Sequence, residues 1–353
     1  MQHQLKPVAS SRELARRARL KYTSDESPGI RRVTRGNGFS YLHENGQPIR
    51  SRNELARIEA LVIPPAWTDV WICPHENGHL QATGRDAKGR KQYLYHAQWQ
   101  ELANRTKFDK LRAFGQALPA IRQQVRRHLT LDGLTKTKVV ATVVELLDRT
   151  LVRVGNEEYV RANDSYGLTT LRRRHAKING AEVKLRFRGK SGKEHEIDLK
   201  DQRLARIVRA CQELPGQELF TYQLGRRQFR RLESSDVNRY LQSLTGQPFT
   251  AKDFRTWKAS ALVLELLHAR AGESLTIVEA KRVVSQAVRE AAEALGNTVT
   301  ICRKYYVQPQ IAEWFLQGEL AARCGRLPFR PRSGMTPYEQ ALLTLLKRLE
   351  KAR

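Results

Sequence analysis

The sequence predicts an α+β protein, with a small β-rich N-terminal domain followed by a mainly α-helical domain that carries a small antiparallel β-hairpin or sheet. Short β-branched and aromatic runs separated by turns fill the first hundred residues, and apolar residues at helical spacing dominate from Ala97 onward. One later stretch alternates apolar and charged residues. Because the helical periodicity is interrupted just after Ala103, we place the domains at residues 1–102 and 103–353.

The N-terminal domain is predicted to begin with a short basic helix at residues 12–22. Strands are expected at residues 30–33, 39–42, 70–72 and 79–83. Asn45 and Gly46 form the kind of pair that closes a tight hairpin. The prolines of residues 63–67, IPPAW, stiffen the chain before the third strand.

The segment 84–96, GRDAKGRKQYLYH, is the first candidate binding site, because a flexible turn with four cations precedes two alternating aromatic residues. Such a loop can follow the phosphates of a nucleic acid while the aromatic side chains support it. For any one residue, a solvated hairpin tip is the alternative. The candidate contacts are Arg85, Lys88, Arg90, Lys91, Tyr93 and Tyr95.

Helices with apolar stripes make up most of the second domain. The helix at residues 111–129 is expected to break or kink at Pro119, and the next runs from Thr135 to a left-handed cap at Gly155. Arg153 lies at that end, either held rigidly or as a surface cation that favours the helix dipole. Further helices are predicted at residues 204–214, 234–244, 249–267, 276–295 and, after a basic linker at 325–334, at 336–353.

The alternating stretch predicts a β-hairpin with a lysine at its tip. Val183, Leu185 and Phe187 alternate with cations, and residues 189–193 make the turn before the partner strand. Lys190 therefore projects from the turn, either into a groove or into solvent.

Two further stretches bring cations to candidate anion sites. Arg255 lies near a helix N-terminus, where the dipole favours an anion, so a phosphate is expected there. Residues 296–306, GNTVTICRKYY, place a side-chain amide, two cations and two phenols just past a helix. Because phenols are poor nucleophiles near neutral pH, the rest of the chain must supply the groups that activate one of them.

The composition favours a nucleic-acid partner. Lys and Arg number 63 against 36 acidic residues, a net charge of +27, which suits a polyanion whose counterions are released on binding. A basic cluster at Arg226, Arg227, Arg230 and Arg231 is expected to touch phosphates nonspecifically. The charge indicates the partner but leaves a DNA-binding protein without catalytic activity open.

Cysteine spacing and hydropathy exclude several other classes. The four cysteines, without any CxxC pair, argue against a disulfide framework and a tetrahedral zinc site, so we expect a reducing compartment and no bound metal. The N-terminus lacks a signal-peptide core, and no apolar run approaches the length that spans a bilayer. A cytoplasmic, nucleoid-associated protein that does not bind membranes is expected.

The ordered set of Arg153, Lys190, KDFR at 252–255, GNT at 296–298 and Tyr306 resembles the type IB DNA topoisomerases, in particular the compact poxvirus-like enzymes of bacteria. The similarity covers almost the whole chain and includes IPPAW, GRDAKGRKQYLYH, RVGNEEY at 153–159 and YGLTTLRRRH at 166–175. It implies the catalytic fold that tyrosine recombinases and type IB topoisomerases share.

The resemblance implies a monomer that clamps duplex DNA, preferentially supercoiled, in a C shape. Tyr306 would attack a phosphodiester to give a 3′-phosphotyrosine and a free 5′-hydroxyl, one strand would rotate, and religation would follow. Supercoils of either sign would relax. Because the phosphotyrosine bond conserves the energy of the broken bond, no ATP, metal or other cofactor is expected.

The resemblance also implies a role for each site residue. Arg153 and Arg255 would bind the nonbridging oxygens, and Lys190 would protonate the leaving 5′-oxygen. Asn297 stands where many family members have histidine, so it would donate a neutral hydrogen bond. A spacing of nine residues after Asn297 selects Tyr306 over Tyr305 as the nucleophile. Further DNA contacts are expected from Gly155, Tyr159, Arg172, Arg174 and Lys252.

The sequence does not identify the base that takes the proton of Tyr306, and water beside the cations is the default. Two alternative functions also remain open. A tyrosine recombinase or integrase uses similar chemistry but usually carries His-x-x-Arg, where this chain has Lys252 and Arg255. The other alternative is a basic DNA-binding protein without catalytic activity.

Overall fold

The computed structural model describes residues 11–36, 38–225, 227–325 and 334–351, and it confirms the predicted α+β fold class. The described chain forms two compact units, one within residues 11–108 and the other from residue 109 onward. Arg226 of the predicted basic cluster and residues 326–333 of the predicted linker lie outside the described residues.

The N-terminal unit contains a five-stranded antiparallel sheet with two short helices. The sheet order is β2-β1-β3-β4-β5. In chain order the elements are α1 (Ser11–Arg17), β1 (Ile30–Arg35), β2 (Gly38–Leu42), α2 (Arg52–Ala60), β3 (Thr68–Ile72), β4 (Leu80–Arg85) and β5 (Lys91–Tyr95). Ile30, Ile58 and Ile72 are at most 1 % exposed and join the sheet to α2 in one apolar core.

The proline-rich segment IPPAW is held to this sheet by an arginine of β1. The Arg32 guanidinium donates to the carbonyls of Ile63, Pro64 and Pro65, and to that of Trp67 at 2.6 Å. A proline has no N–H to offer a sheet, so side-chain donors to its carbonyl can replace strand pairing. The motif is therefore a structural part of the N-terminal unit.

The second unit is mainly helical. Its helices are α3 (Ala97–His128), which begins before the division at residue 108, α4 (Lys136–Thr150), α5 (Glu157–Asn163), α6 (Gln202–Glu213), α7 (Ser234–Thr245), α8 (Ala251–His268), α9 (Ile277–Ala294), α10 (Val299–Tyr305), α11 (Pro309–Leu316), α12 (Leu320–Cys324) and α13 (Pro337–Lys351). As its apolar composition predicts, α8 is the buried helix of this unit, with Trp257, Val263 and Leu264 fully enclosed.

Several predicted helix boundaries were wrong. Helix α1 ends at Arg17 and not at residue 22, and helix α3 continues past Ala103, where an interruption was expected. Helix α3 continues through Pro119, so the predicted break is wrong, while a kink there stays a prediction. Leu118, Ile121 and Val125 are buried at helical spacing, and their packing offsets the roughly 3 kcal/mol that an internal proline costs. Helix α4 ends at Thr150 with Leu151 in the left-handed conformation at φ 59°, before the glycine that was predicted as the cap.

Two small sheets complete the second unit. A three-stranded antiparallel sheet, in the order β6-β7-β8, contains the predicted hairpin, and a two-stranded hairpin lies at the basic cluster. The strands are β6 (Ala176–Asn179), β7 (Glu182–Arg188), β8 (Glu194–Lys200), β9 (Thr221–Gly225) and β10 (Gln228–Arg231). Lys190 begins a short 3₁₀ turn between β7 and β8, so the predicted placement at the tip is confirmed.

The C-terminal helix α13 packs on this chain, against α8 and α12. Leu342, Leu345 and Leu346 are at most 4 % exposed in that contact. The C-terminal helix therefore belongs to the packed body of the second unit.

None of the helices in the described part of the chain is long and apolar enough to cross a membrane. Over the same residues, no group of three or more His, Cys, Asp or Glu side chains is arranged to hold a metal ion. The four cysteines are all buried, and no disulfide joins them.

Candidate active site

Tyr306 lies directly after α10 and is 7 % exposed. The hydroxyl of Ser260, in the middle of buried helix α8, donates to the carbonyl of Tyr306 at 3.1 Å and accepts from the N–H of Gln308 at 3.1 Å. One side chain therefore fixes the backbone at Tyr306 and two residues beyond it.

Cations surround the phenol of Tyr306. The Arg255 guanidinium carbon lies 5.5 Å from the ring centroid, and Lys252 Nζ lies 5.9 Å from it. Burial alone would raise the pKa of Tyr306, but the charges of Arg255, Lys252 and Arg153 lower it below its ordinary value. The fold therefore brings to Tyr306 the cations that the sequence analysis required for activation of its phenol.

Arg255 is 4 % exposed and is held by the ends of two helices. Its guanidinium donates to the carbonyl of Leu151 at the end of α4, and to that of Leu295 at the end of α9 at 2.7 Å. Carbonyls in the last turn of a helix lack intrahelical donors and attract cations. Burial and the Arg153 charge lower the pKa of Arg255 to about 10, so the group stays charged at neutral pH.

Arg153 and Asn297 contact each other directly. Arg153 Nη2 donates to Asn297 Oδ1 at 2.5 Å. The amide nitrogen of Asn297 is buried and has no hydrogen-bond partner within the described residues, and the same is true of Arg255 Nε. Buried donors of this kind are rare unless a ligand completes them, which marks the place where an anion would bind.

The segment that carries Arg153 is locked to the YGLTT motif. The carbonyl of Arg153 accepts from Leu168 N at 2.9 Å, and that of Val154 accepts from Thr169 N at 2.7 Å. A β-carbon on Gly167 would lie 2.5 Å from the nitrogen of Gly155, so the two backbones need glycine in order to approach. The RVG and YGLTT motifs therefore form one structural unit that positions Arg153.

Lys190 and Tyr159 lie together. Lys190 Nζ is 5.9 Å from the Tyr159 ring centroid, and Tyr159 is 43 % exposed. The turn is tied to the YGLTT unit, because Tyr166 N donates to the carbonyl of Arg188 at 2.8 Å. Lys190 thus stands on an exposed turn anchored beside the segment of Arg153.

The structure places the other predicted contacts of this unit around the same motifs. Arg172 lies over the Tyr166 ring, 5.7 Å from its centroid, and Arg174 Nε lies 3.5 Å from His175 Nε2. Gly155, at φ 101°, serves the backbone packing described above. Contacts of Gly155, Tyr159, Arg172, Arg174 and Lys252 with DNA stay predictions.

In the N-terminal unit, most of the predicted phosphate contacts have acidic partners. Arg85 pairs with Asp69 at 3.5 Å, Arg90 with Asp86 at 2.6 Å and Lys91 with Asp25 at 2.6 Å, while Lys88 is exposed at the turn. Tyr93 and Tyr95 stack with their centroids 6.1 Å apart. Asp69 is exposed, whereas Asp25 and Asp86 are partly buried, and contacts of these cations and tyrosines with DNA stay predictions.

Sequence reasoning missed the groups that position the candidate site. Ser260 looks like one more small residue of a buried helix, and the carbonyls of Leu151 and Leu295 carry no sequence signal. Their role depends on the ends of α4 and α9 meeting at Arg255, which is long-range information.

Comparisons with known proteins show the family of this chain. The family model described as eukaryotic DNA topoisomerase I, catalytic core, matches residues 96–314, and that described as bacterial DNA topoisomerase IB, N-terminal domain, matches residues 38–86. The DNA topoisomerase 1B of Acanthamoeba polyphaga mimivirus is 31% identical over 293 residues, covering 81% of this chain and 87% of that protein. The DNA topoisomerase 1B of Vaccinia virus (strain Copenhagen) is 22% identical over 265 residues, covering 72% of this chain and 80% of that protein. The DNA topoisomerase 1 of Schizosaccharomyces pombe is 26% identical over 205 residues, covering 57% of this chain and 24% of that protein.

Proposed function

This chain belongs to the type IB DNA topoisomerase family, and we propose that it relaxes positive and negative supercoils by cutting and resealing one strand of duplex DNA. The observation that carries the proposal is the set of three cations around one phenol, with an amide donor bound to one of them. Arg153, Arg255 and Lys252 lower the pKa of Tyr306, and Asn297 adds a buried amide donor without a described partner.

In the proposed reaction Tyr306 loses its proton to water beside the cations, and its oxygen attacks a phosphodiester of one strand. A bond forms between that oxygen and phosphorus, and the bond from phosphorus to the 5′-oxygen breaks, which leaves a 3′-phosphotyrosine. Negative charge grows on the nonbridging oxygens during the attack. Arg255, Arg153 and Asn297 would stabilise it, because rigidly held donors in a buried site need no reorganisation.

The leaving 5′-oxygen takes a proton from Lys190. This role is supported by the position of Lys190 on a turn that is anchored beside the segment of Arg153. A lysine can give up a proton at neutral pH, whereas an arginine hardly can. Religation reverses the steps, with the 5′-hydroxyl returning its proton as it attacks the phosphotyrosine.

The energy of the broken phosphodiester stays in the phosphotyrosine bond, so resealing requires neither ATP nor a metal in this scheme. Between the two steps the nicked strand rotates, and the torsional strain of the DNA drives the relaxation.

The test is relaxation of a supercoiled plasmid in EDTA without ATP. We expect a ladder of relaxed topoisomers and a covalent adduct when the reaction is stopped with detergent. Tyr306→Phe should abolish both while duplex binding persists, and Tyr305→Phe is the matched control that should retain them.

The other outcomes would overturn the proposal. Unchanged relaxation by the Tyr306→Phe variant would exclude the nucleophile. Strand exchange between paired sites would indicate a recombinase, and DNA binding without any adduct would indicate a protein that only binds.

A further inference from the structure

His195 on β8 lies between two glycines, each of which directly precedes a proposed catalytic residue. Its ring stacks on Phe187 of β7, with the centroids 5.1 Å apart and the planes within 13°. These residues are direct partners in the register of β7 and β8. The imidazole therefore has a fixed orientation at the base of the turn that carries Lys190.

Two glycines make room for this imidazole, and each precedes a proposed catalytic residue. A β-carbon on Gly189, before Lys190, would lie 2.6 Å from His195 Nε2. One on Gly296, before Asn297, would lie 3.2 Å from His195 Cε1. The ring is thus packed against both turns, which belong to parts of the sequence about a hundred residues apart.

We propose that His195 is a positioning residue whose imidazole ring acts as the spacer between the turn of Lys190 and the turn of Asn297. The inference rests on the proposed function, and it adds a group that sets the distance between the proton donor and the amide donor. An alanine side chain at this position would leave a gap between the turns, so both could move by a fraction of an ångström or more.

The charges around the ring favour its neutral form. Burial lowers the pKa of His195 most, and the charges of Arg255, Arg153 and Lys193 lower it further, against a smaller opposing effect of Glu194. The ordinary pKa is 6.5, so the ring is neutral at pH 7 and becomes charged only in more acidic solution. A protonated ring would repel the two guanidinium groups and disturb the packing.

The first experiment compares cleavage by His195→Ala and His195→Phe on a duplex that traps the covalent adduct, at pH 7.5 and with saturating DNA. Removal of the spacer in His195→Ala should lower the rate about 10- to 100-fold, the size of effect that a displacement of about 1 Å produces. His195→Phe fills the same space and should retain most of the rate. His268→Ala, which removes a half-buried histidine from α8, is the control and should cleave normally.

A 5′-bridging phosphorothiolate distinguishes positioning from general loss of structure. A sulfur leaving group needs no proton, so a defect caused by misplaced Lys190 should shrink on this substrate by about 10-fold relative to the ordinary phosphodiester. An equal loss by His195→Ala on both substrates would overturn the proposal, as would a wild-type rate. Loss of activity by His195→Phe equal to that of His195→Ala would also overturn it, since the imidazole would then act chemically.

A double-mutant cycle of Gly189→Ala and His195→Ala keeps the proposal testable if His195→Ala alone folds poorly. Gly189 has φ −97°, which any residue adopts, so Gly189→Ala is harmful only through its clash with the ring. It should slow cleavage, and the double variant with His195→Ala should cleave faster than Gly189→Ala alone. An additive loss would contradict the spacer. Throughout, the wild-type protein must form the adduct, because failure there would reject the proposed function and not only this inference.

Discussion

The guanidinium of Arg153 donates to the side-chain carbonyl of Asn297 at 2.5 Å, and this contact decides which end of the amide faces a bound phosphate. A guanidinium can only donate, so it must meet Oδ1 of the amide and leave Nδ2 on the other side. Nδ2 is buried without a partner within the described residues. Arg153 therefore has two functions in the proposed site, a direct one toward phosphate and an indirect one through Asn297.

Asn297→Asp tests this arrangement, because the carboxylate keeps an acceptor for Arg153 but loses the donor and adds a negative charge. We expect single-turnover cleavage to fall at least as far as in Asn297→Ala, about 10²- to 10³-fold, as for other donors to a developing oxyanion. Covalent adduct formation on a labelled duplex measures both rates. An Asn297→Asp protein that cleaves like the wild type would show that the Nδ2 donor is not used.

Lys252→Gln tests the activation of Tyr306. Positive charge near the phenol stabilises the phenolate and lowers its pKa, so the reactive fraction rises as the pH approaches the ordinary tyrosine value of 10.0 from below. Removal of one cation raises the pKa, and the rising limb of the cleavage rate against pH should move to higher pH. Saturating DNA separates this shift from weaker binding.

Lys177→Gln is the control for this experiment, because it removes an exposed cation from β6 and should leave the pH profile unchanged. A Lys252→Gln profile that has the wild-type shape and a uniformly lower rate would contradict an effect on the pKa of Tyr306.

Ser260→Ala tests the backbone anchor of the nucleophile. The variant leaves two buried backbone groups, the carbonyl of Tyr306 and the N–H of Gln308, without their hydrogen bonds, which costs about 1–3 kcal/mol of folding free energy. Because Tyr306 is then less firmly placed, cleavage should fall about 10-fold or more in the folded protein.

Thermal unfolding and single-turnover cleavage measure these two effects. Ser243→Ala is the control, since Ser243 is an exposed serine of α7 that also bonds to a backbone carbonyl. A Ser260→Ala protein that is less stable but cleaves at the wild-type rate would restrict Ser260 to a structural role.

The sequence predicted local secondary structure better than the long-range contacts around the proposed site. Local periodicity is enough to place Lys190 at a hairpin tip, because β7 alternates and glycines flank the turn. Periodicity could not decide between a break and a continuous helix at Pro119, where Leu118 and Ile121 are buried, and it failed at Leu151, an αL cap that few residue types favour. These outcomes depend on contacts far away in the sequence.

The charges around the site show the same limit. Net charge predicted a polyanion as partner, but it could not show that Arg85, Arg90 and Lys91 each lie beside a carboxylate. It also could not show that Arg255 is fixed by two helix C-termini. The position of Arg255 near a helix N-terminus predicted a bound anion. The structure adds that the carbonyls at the ends of α4 and α9 hold the guanidinium in place.

A buried ionic network joins α13 to the helices that carry the proposed site. Arg122 of α3 binds Asp148 of α4 at 2.6 Å and Glu339 of α13 at 2.8 Å. Lys258 of α8 lies 3.1 Å from Glu339, and Trp257 Nε1 donates to it at 3.2 Å. Glu339 is 1 % exposed, so its charge depends on these partners.

Glu339 should therefore make the protein acid-sensitive. Burial would raise its pKa, but the hydrogen bond of Arg122 and the charges of Lys258 and Arg122 lower it from 4.5 to about 2. Because the folded-state pKa is the lower one, the stabilisation is complete above the unfolded value and is lost as the pH falls from about 4.5 toward 2. The difference corresponds to about 3 kcal/mol.

Glu339→Gln should lower the free energy of unfolding at pH 7 by about 3 kcal/mol or more, because the amide keeps the shape but leaves Arg122 and Lys258 short of negative charge. The variant should also lose the part of the acid sensitivity that Glu339 causes, so the two proteins should converge in stability as the pH falls. Chemical denaturation followed by tryptophan fluorescence measures both, since Trp257 contacts Glu339 directly.

Glu319→Gln is the control. It breaks an exposed pair with Arg323, at 46 % exposure on each side, and should change the stability by less than about 1 kcal/mol. Equal effects of the two substitutions at pH 7 would mean that the buried network contributes no more than a surface ion pair and that α13 is held by its leucines alone.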